Sequence, residues 1–269
     1  MDVRIENSFE TLSQEEWDRY LEIDLFENMR LSCATFGISK VFFENISHPK
    51  MPELIKEHNN KIGSLQITYA LCRHYFDQGI PDDPWYASSG PEGQAIKYMP
   101  NFHEEHWMRK YWFNYFADTY YLKLMAVWDS IIEIINHFYS YDFIIDLRLR
   151  NSVLKKLKSD NPALHLIFTE LQTDPIYVDA QKYRTAAAHG TSAGEISNTV
   201  SIDRDVETEV PVLDESGKLI MKKIKASAVV SLGIGEYTMT KDIDANMEQF
   251  ATLTGNKIQE IAACMTAAT

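Results

Sequence analysis

The residues best suited to chemistry are Arg184 and His189, set in Tyr183-Arg184-Thr185-Ala186-Ala187-Ala188-His189-Gly190. A guanidinium grips phosphate oxygens through a fixed fork of donors, and an imidazole moves protons near neutral pH. Together they are the smallest kit for metal-free phosphodiester chemistry. On one helix, five positions amount to roughly 500° of turn and about 7.5 Å of rise, which predicts two side chains pointing in broadly similar directions and sharing one phosphate. The three alanines keep the helix stable and let another helix or a substrate backbone come close. The plainer reading has His189 capping the helix end, where a positive imidazole favours the dipole, and Arg184 exposed or ion-paired. Context favours the chemical reading: this is the one arginine in the chain with a histidine four to six positions later, and it closes the last of a run of helices.

Other candidates are weaker. His103-Glu104-Glu105-His106 is not the helical HExxH of zinc peptidases, because the second histidine comes one residue early and Trp107 takes its place. With no third ligand in view, these histidines are expected to be structural and no metal or cofactor is expected. Gly233-Ile234-Gly235 lacks the third glycine and following helix of a dinucleotide loop, and no GxSxG elbow or GKS/T phosphate loop occurs. Asp129 lies in an apolar run from Tyr120 to Ile135. Read as a buried carboxylate it needs a partner, for which Arg184 and an unrelated hydrogen bond are equal candidates. Arg148, Arg150, Lys155, Lys156 and Lys158 form a basic cluster able to attract a polyanion, or simply the solvated face of a helix.

Helices must position these groups. Ser13 and Glu16 make a capping box, and Trp17, Tyr20, Leu21, Leu25 and Met29 recur at helical spacing, predicting a first helix over most of 13–36. Pro52 opens a second that ends near Gly79. The Pro- and Gly-rich stretch from Gly79 to Pro100 reads as a long loop that packs down through Trp85, Tyr86 and Tyr98. From about His103 to Tyr141 there is neither proline nor glycine, and aromatic and aliphatic residues crowd nearly every face, as in the buried centre of a bundle or a subunit interface. Shorter helices follow at about 149–158, 161–173 and 175–190, the last between Asp174-Pro175 and Gly190. Alternation over 195–240, with Asp214-Glu215-Ser216-Gly217 as its turn, predicts a β-hairpin or small meander, and a final helix covers 242–267. The chain is thus mainly α, an antiparallel helical bundle with a small β element before its C-terminal helix. Residues 1–100 form a helical pair and loop packed on a bundle of 101–269, which together could make one continuous domain.

Composition narrows the setting. A net charge of −13 disfavours coating long nucleic acid, but the acid is peripheral: residues 1–100 carry −7, 101–190 only −1, and 191–269 −5. Cys33, Cys72 and Cys264 lie far apart, which fits a reducing compartment better than a disulfide framework. With no apolar signal core and no bilayer-length apolar run, a cytoplasmic protein with no membrane partner is expected.

With these residues in hand, the sequence resembles the HEPN superfamily, small helical bundles with an arginine and, four to six residues later, a histidine on a late helix. The resemblance covers about 103–190, with the hairpin and last helix similar to additions in uncharacterised bacterial branches. It implies that Arg184 and His189 match the two motif residues. Many members are metal-independent endoribonucleases in which two motifs of a homodimer face each other, some of them toxins or defence effectors under a regulatory partner. RNA as substrate is implied by the resemblance alone, with Arg148, Arg150 and Lys155 as its contacts. Thr185 departs from the asparagine, aspartate or histidine that commonly follows the arginine. That departure bears on activity more than fold, since the superfamily includes inactive nucleotide- or protein-binding modules.

Overall fold

The computed structural model describes residues 9–38, 49–88, 96–196, 199–213, 218–233 and 237–267. The chain is mostly helical, as its pattern predicts. Contacts divide it into a helical unit, running to Gly194 and resuming at Met239, and a separate unit, Glu195–Thr238.

The helical unit holds α1 (Gln14–Leu21), α2 (Met51–Asp77), α3 (Glu104–Phe138), α4 (Leu149–Asp160), α5 (Pro162–Thr173), α6 (Pro175–His189) and α7 (Thr240–Thr266). The expected single helix over 13–36 is corrected. The Ser13 capping box forms, but α1 stops at Leu21 and two 3₁₀ turns follow, Asp24–Met29 and Cys33–Phe36. Their buried residues, Phe26 with Met29 and Cys33 with Phe36, stand three apart, the repeat of a 3₁₀ rather than an α turn. Side chains from other helices take up the backbone groups this releases. Asn59 receives Leu31 N–H and donates to Leu31 O, Gln259 donates to Asn28 O, and His58 bonds Met29 O at 2.9 Å. Tertiary contacts thereby outweigh local helix propensity.

Thirty-five residues make α3 about 52 Å long. It is nearly apolar all round because α2, α6 and α7 pack on it, burying Phe113, Tyr120, Leu124, Trp128 and Ile135. Each such side chain is worth roughly 1.5–3 kcal/mol of transfer free energy. Trp128 is only 1% exposed and donates to Thr254, so it belongs to the interior and not to an outer aromatic surface. One stripe does face water: Tyr111, Tyr115, Leu122 and Asp129.

The stretch after Gly79 contains a short antiparallel pair, β1 (Tyr86–Ser88) with β2 (Ile96–Tyr98), on which Trp85 stacks against Tyr98. It also pins the start of α7. The buried Asp82 carboxylate accepts Thr240 N–H at 2.8 Å, an acid at a helix N-terminus, and Asp83 pairs with Lys241. In the other unit β3 (Thr199–Leu213) pairs antiparallel with β4 (Leu219–Gly233), in register from Thr199↔Gly233 to Leu213↔Leu219. The expected turn at 214–217 and the Ile234-Gly235 part of the glycine pair lie outside the described residues.

Candidate functional site

α6 starts and stops where local chemistry dictates. The Asp174 side chain accepts Ile176 N–H at 2.8 Å, Pro175 occupies the first turn where its missing donor costs nothing, and Gly190 N–H closes the helix on Ala186 O. Its regularity corrects one expectation. Five positions on an unbroken helix leave 140° between Arg184 and His189, so the two do not point the same way. On the shorter arc between them stand Ala188 and Thr185. Thr185, Ala188 and His189 are exposed and Arg184 is half-buried, whereas Tyr183, Ala186 and Ala187, on the opposite arc, are half-buried. An anion reached by both charged groups therefore sits over Ala188 and Thr185, where a methyl gives room and a hydroxyl can donate. Neither the Arg184 nor the His189 side chain has a hydrogen bond or ion pair with any described residue.

α3 fixes where this end of α6 lies. Trp128 meets Tyr177, Met125 Sδ receives Gln181 Nε2, and Tyr121 packs on Tyr183 with ring centroids 5.1 Å apart, so Tyr183 is a packing residue. Past the helix end, Asp118 accepts the Ser192 hydroxyl, and both Lys110 Nζ and Asn114 Nδ2 donate to Gly194 O. Lys110, Asn114 and Asp118 were not among the residues singled out from the sequence, though the signal was there: three polar residues four apart on an apolar helix form one stripe. Gly194 fits this clamp because a Cβ there would overlap the Asn114 amide.

The other predicted residues fall in different places. Asp129 is exposed on the water-facing stripe of α3 and forms no ion pair with Arg184, which corrects its reading as a buried carboxylate. Its apolar neighbours in sequence point to other faces of the helix. Arg150 is half-buried and donates to the Tyr177 hydroxyl at 2.8 Å, so the basic cluster does reach α6. Arg148 and Lys155, seven apart, share a different, exposed side of α4, while Lys156 is paired with Asp160. His103 N–H donates to His106 Nδ1 at 3.1 Å, a capping use for that pair. Among the described residues no three His, Cys, Asp or Glu side chains converge as a metal site needs, and no helix is long and apolar enough to cross a membrane.

A helical bundle with an arginine and a histidine closing a late helix defines a class, and comparison with known proteins places it. Residues 54–258 match the model of the Cthe2314-like HEPN family. The chain belongs to that family and hence to the HEPN superfamily. The match is wider than the 103–190 that carry the resemblance, taking in most of α2, the hairpin and much of α7. Comparison with curated proteins and with solved structures gave no match.

Proposed function

We propose that this chain is a metal-independent endoribonuclease whose site consists of Arg184 and His189, completed across a homodimer. The observation carrying this reading is that both groups lie at the exposed end of α6 with no described protein partner, on an arc with Thr185 and Ala188. A fold-holding arginine would have a carboxylate or a carbonyl to bond. In the reaction the RNA 2′-hydroxyl attacks the adjacent phosphorus, forming the 2′,3′-cyclic phosphate as the bond to the 5′-oxygen breaks. His189 of one copy removes the 2′ proton and that of the other protonates the departing 5′-oxygen. Arg184 holds the non-bridging oxygens as charge builds on them. The 140° between the side chains favours a second copy, since each α6 presents its two groups on flanks of one arc. Asp129, exposed and remote in role, drops out of the site; Arg148 and Lys155 remain as outer phosphate contacts. The setting we infer is cytoplasmic, as a toxin or defence effector under a regulatory protein.

The test is RNA cleavage in the presence of a chelator, read beside Arg184→Ala and His189→Ala. Cleavage that needs added metal, or that survives both substitutions, overturns the proposal. Thr185 favours a second reading, a catalytically inactive module binding a nucleotide or protein, which expects binding without cleavage in the same assay. Sedimentation of the wild type and a polar Trp112 variant tests the dimer, because Trp112 is the half-buried member of its aromatic cluster.

A further inference from the structure

Between α5 and α6 lies a depression of about 540 Å³ lined by Gln172, Tyr177, Val178, Gln181, Lys182 and Thr185. It is continuous with the motif for a geometric reason. Val178, Lys182, Thr185 and His189 stand at i, i+4, i+7 and i+11, one stripe of α6, and Tyr177, Gln181, Arg184 and Ala188 repeat that spacing on the next. The two stripes that carry the histidine and the arginine thus begin as the floor of this depression. A chain bound at His189 and running toward the start of α6 enters it at Thr185, about 6 Å further along the axis.

The polar groups here are oriented by the protein. The Tyr177 hydroxyl, on a ring only 3% exposed, receives both Arg150 Nη2 at 2.8 Å and Gln181 Nε2 at 2.9 Å. Gln181 Nε2 also reaches Met125 Sδ at 3.4 Å. With its amide nitrogen committed, Gln181 presents its carbonyl oxygen as an acceptor, matched to the N–H groups on a nucleobase edge. Arg150 does not line the depression but is joined to it through the lining Tyr177; it uses one donor there and has no carboxylate partner among the described residues, leaving the rest of its fork for phosphate. Val178 offers apolar surface for a ring, and the exposed Lys182–Asp179 pair forms the rim.

We propose that this depression is a second nucleotide subsite, taking the base of the nucleotide next to the cleaved phosphate on Gln181 and Gln172 and that nucleotide's phosphate on Arg150. The inference rests on the nuclease reading and makes the substrate single-stranded RNA of at least two nucleotides, because pairing occupies a base's Watson–Crick edge and the deep A-form groove hides its Hoogsteen edge from side chains.

The experiment uses the full chain carrying His189→Ala to prevent turnover, with a fluorescent decaadenylate and, separately, AMP as probes. Gln181→Ala and Arg150→Gln are expected to weaken decaadenylate binding about tenfold and to weaken AMP binding as well, since AMP carries the base and the phosphate that the subsite takes. Arg150→Gln is further expected to reduce the slope of log affinity against log salt by about 0.7, the value for one phosphate contact on a single strand, which a merely structural defect would not do. Unchanged decaadenylate affinity in both variants overturns the subsite while leaving the Arg184/His189 chemistry standing. In case either variant unfolds, a 4-thiouridine-containing ten-mer is photo-crosslinked to the His189→Ala protein and mapped by mass spectrometry. Crosslinks within 172–182 support the subsite; crosslinks only elsewhere, or none, overturn it. If wild-type protein fails to cleave RNA yet crosslinks at 172–182, the nuclease reading falls and the subsite stands as a binding site.

Discussion

Two charged clusters on this fold are built in opposite ways. At the seam of α2 and α7, Arg73 bonds Asp244 at 2.5 Å and Asp77 at 2.8 Å, with Glu248 nearby and accepting the Tyr69 hydroxyl at 2.8 Å. Every charge there answers another, and burial pushes the Asp244 carboxyl up to about 6 despite the pull of Arg73. At the end of α6, Arg184 and His189 answer nothing in the described protein. A perturbed acid in a protein invites a functional reading, yet here the perturbed group ties two helices together, and the pair we assign to chemistry is the unpartnered one. Partnering, more than perturbation, separates the groups that hold this fold from the groups left for a ligand.

The largest effects should therefore divide cleanly between rate and stability. Replacing His189 with alanine is expected to lower RNA cleavage by at least about a hundredfold, with the thermal midpoint unchanged because no described contact is lost. A midpoint that falls together with the activity would erase the distinction. Arg73→Ala should do the reverse. It leaves Asp244, whose Oδ1 is already buried without a partner, facing Asp77 and Glu248 alone. The expected loss in urea unfolding is about 2–3 kcal/mol, below the full cost of breaking a buried pair because the arginine is partly exposed, with cleavage per folded molecule retained.

The sequence showed the helices from α2 onward because their ends are chemical events. Pro52, Pro162 and Pro175 open three of them, and Gly190 closes the helix that carries the motif. It did not show the break after Leu21, which is decided by Asn59, His58 and Gln259 arriving from distant helices. At the candidate site, the helix that carries Arg184 and His189 was legible and the directions of its side chains were not. Asp129 looked buried because the residues beside it in sequence are apolar, but neighbours in sequence point to different faces of a helix. The Lys110, Asn114, Asp118 clamp needed the return of residues 192–194 before its stripe had a meaning.

That clamp lies between the two clusters in character: buried like the seam, yet placed to hold the motif end of α6. Gly194→Ala pushes a methyl into the Asn114 amide, which is itself bonded to Gly194 O and has little room to swing. Overpacking of this kind costs about 1–3 kcal/mol. We expect a loss within that range in unfolding experiments, joined by a several-fold fall in cleavage as the segment after His189 loosens. A stability loss without any change in rate would detach the clamp from the site.

The finest division is within the buried groups themselves, between acid and base. His58 is fully buried, bonding Ser130 Oγ and Met29 O, and burial pushes its imidazole down to about 4. Between about 4 and 6.5 the unfolded chain binds a proton at this position that the folded chain refuses, so its contribution to stability rises with pH across that window. Asp244 runs the other way. Its carboxyl, raised from 3.8 to about 6, keeps a proton in the folded state that the unfolded chain has released, so its contribution falls as pH rises through the same interval. Glu16, held down to about 2 by the Ser13 backbone and hydroxyl and further by His74, acts mainly below this range and, being present in wild type and both variants, adds the same rising slope below 4.5 to each. The two opposed slopes flatten the wild-type profile between pH 4 and 6. Urea unfolding of Asp244→Asn should show stability climbing with pH there, and His58→Gln should show it declining. Slopes of the same sign in the two variants would mean that the seam and the His58 pocket do not titrate as their burial requires.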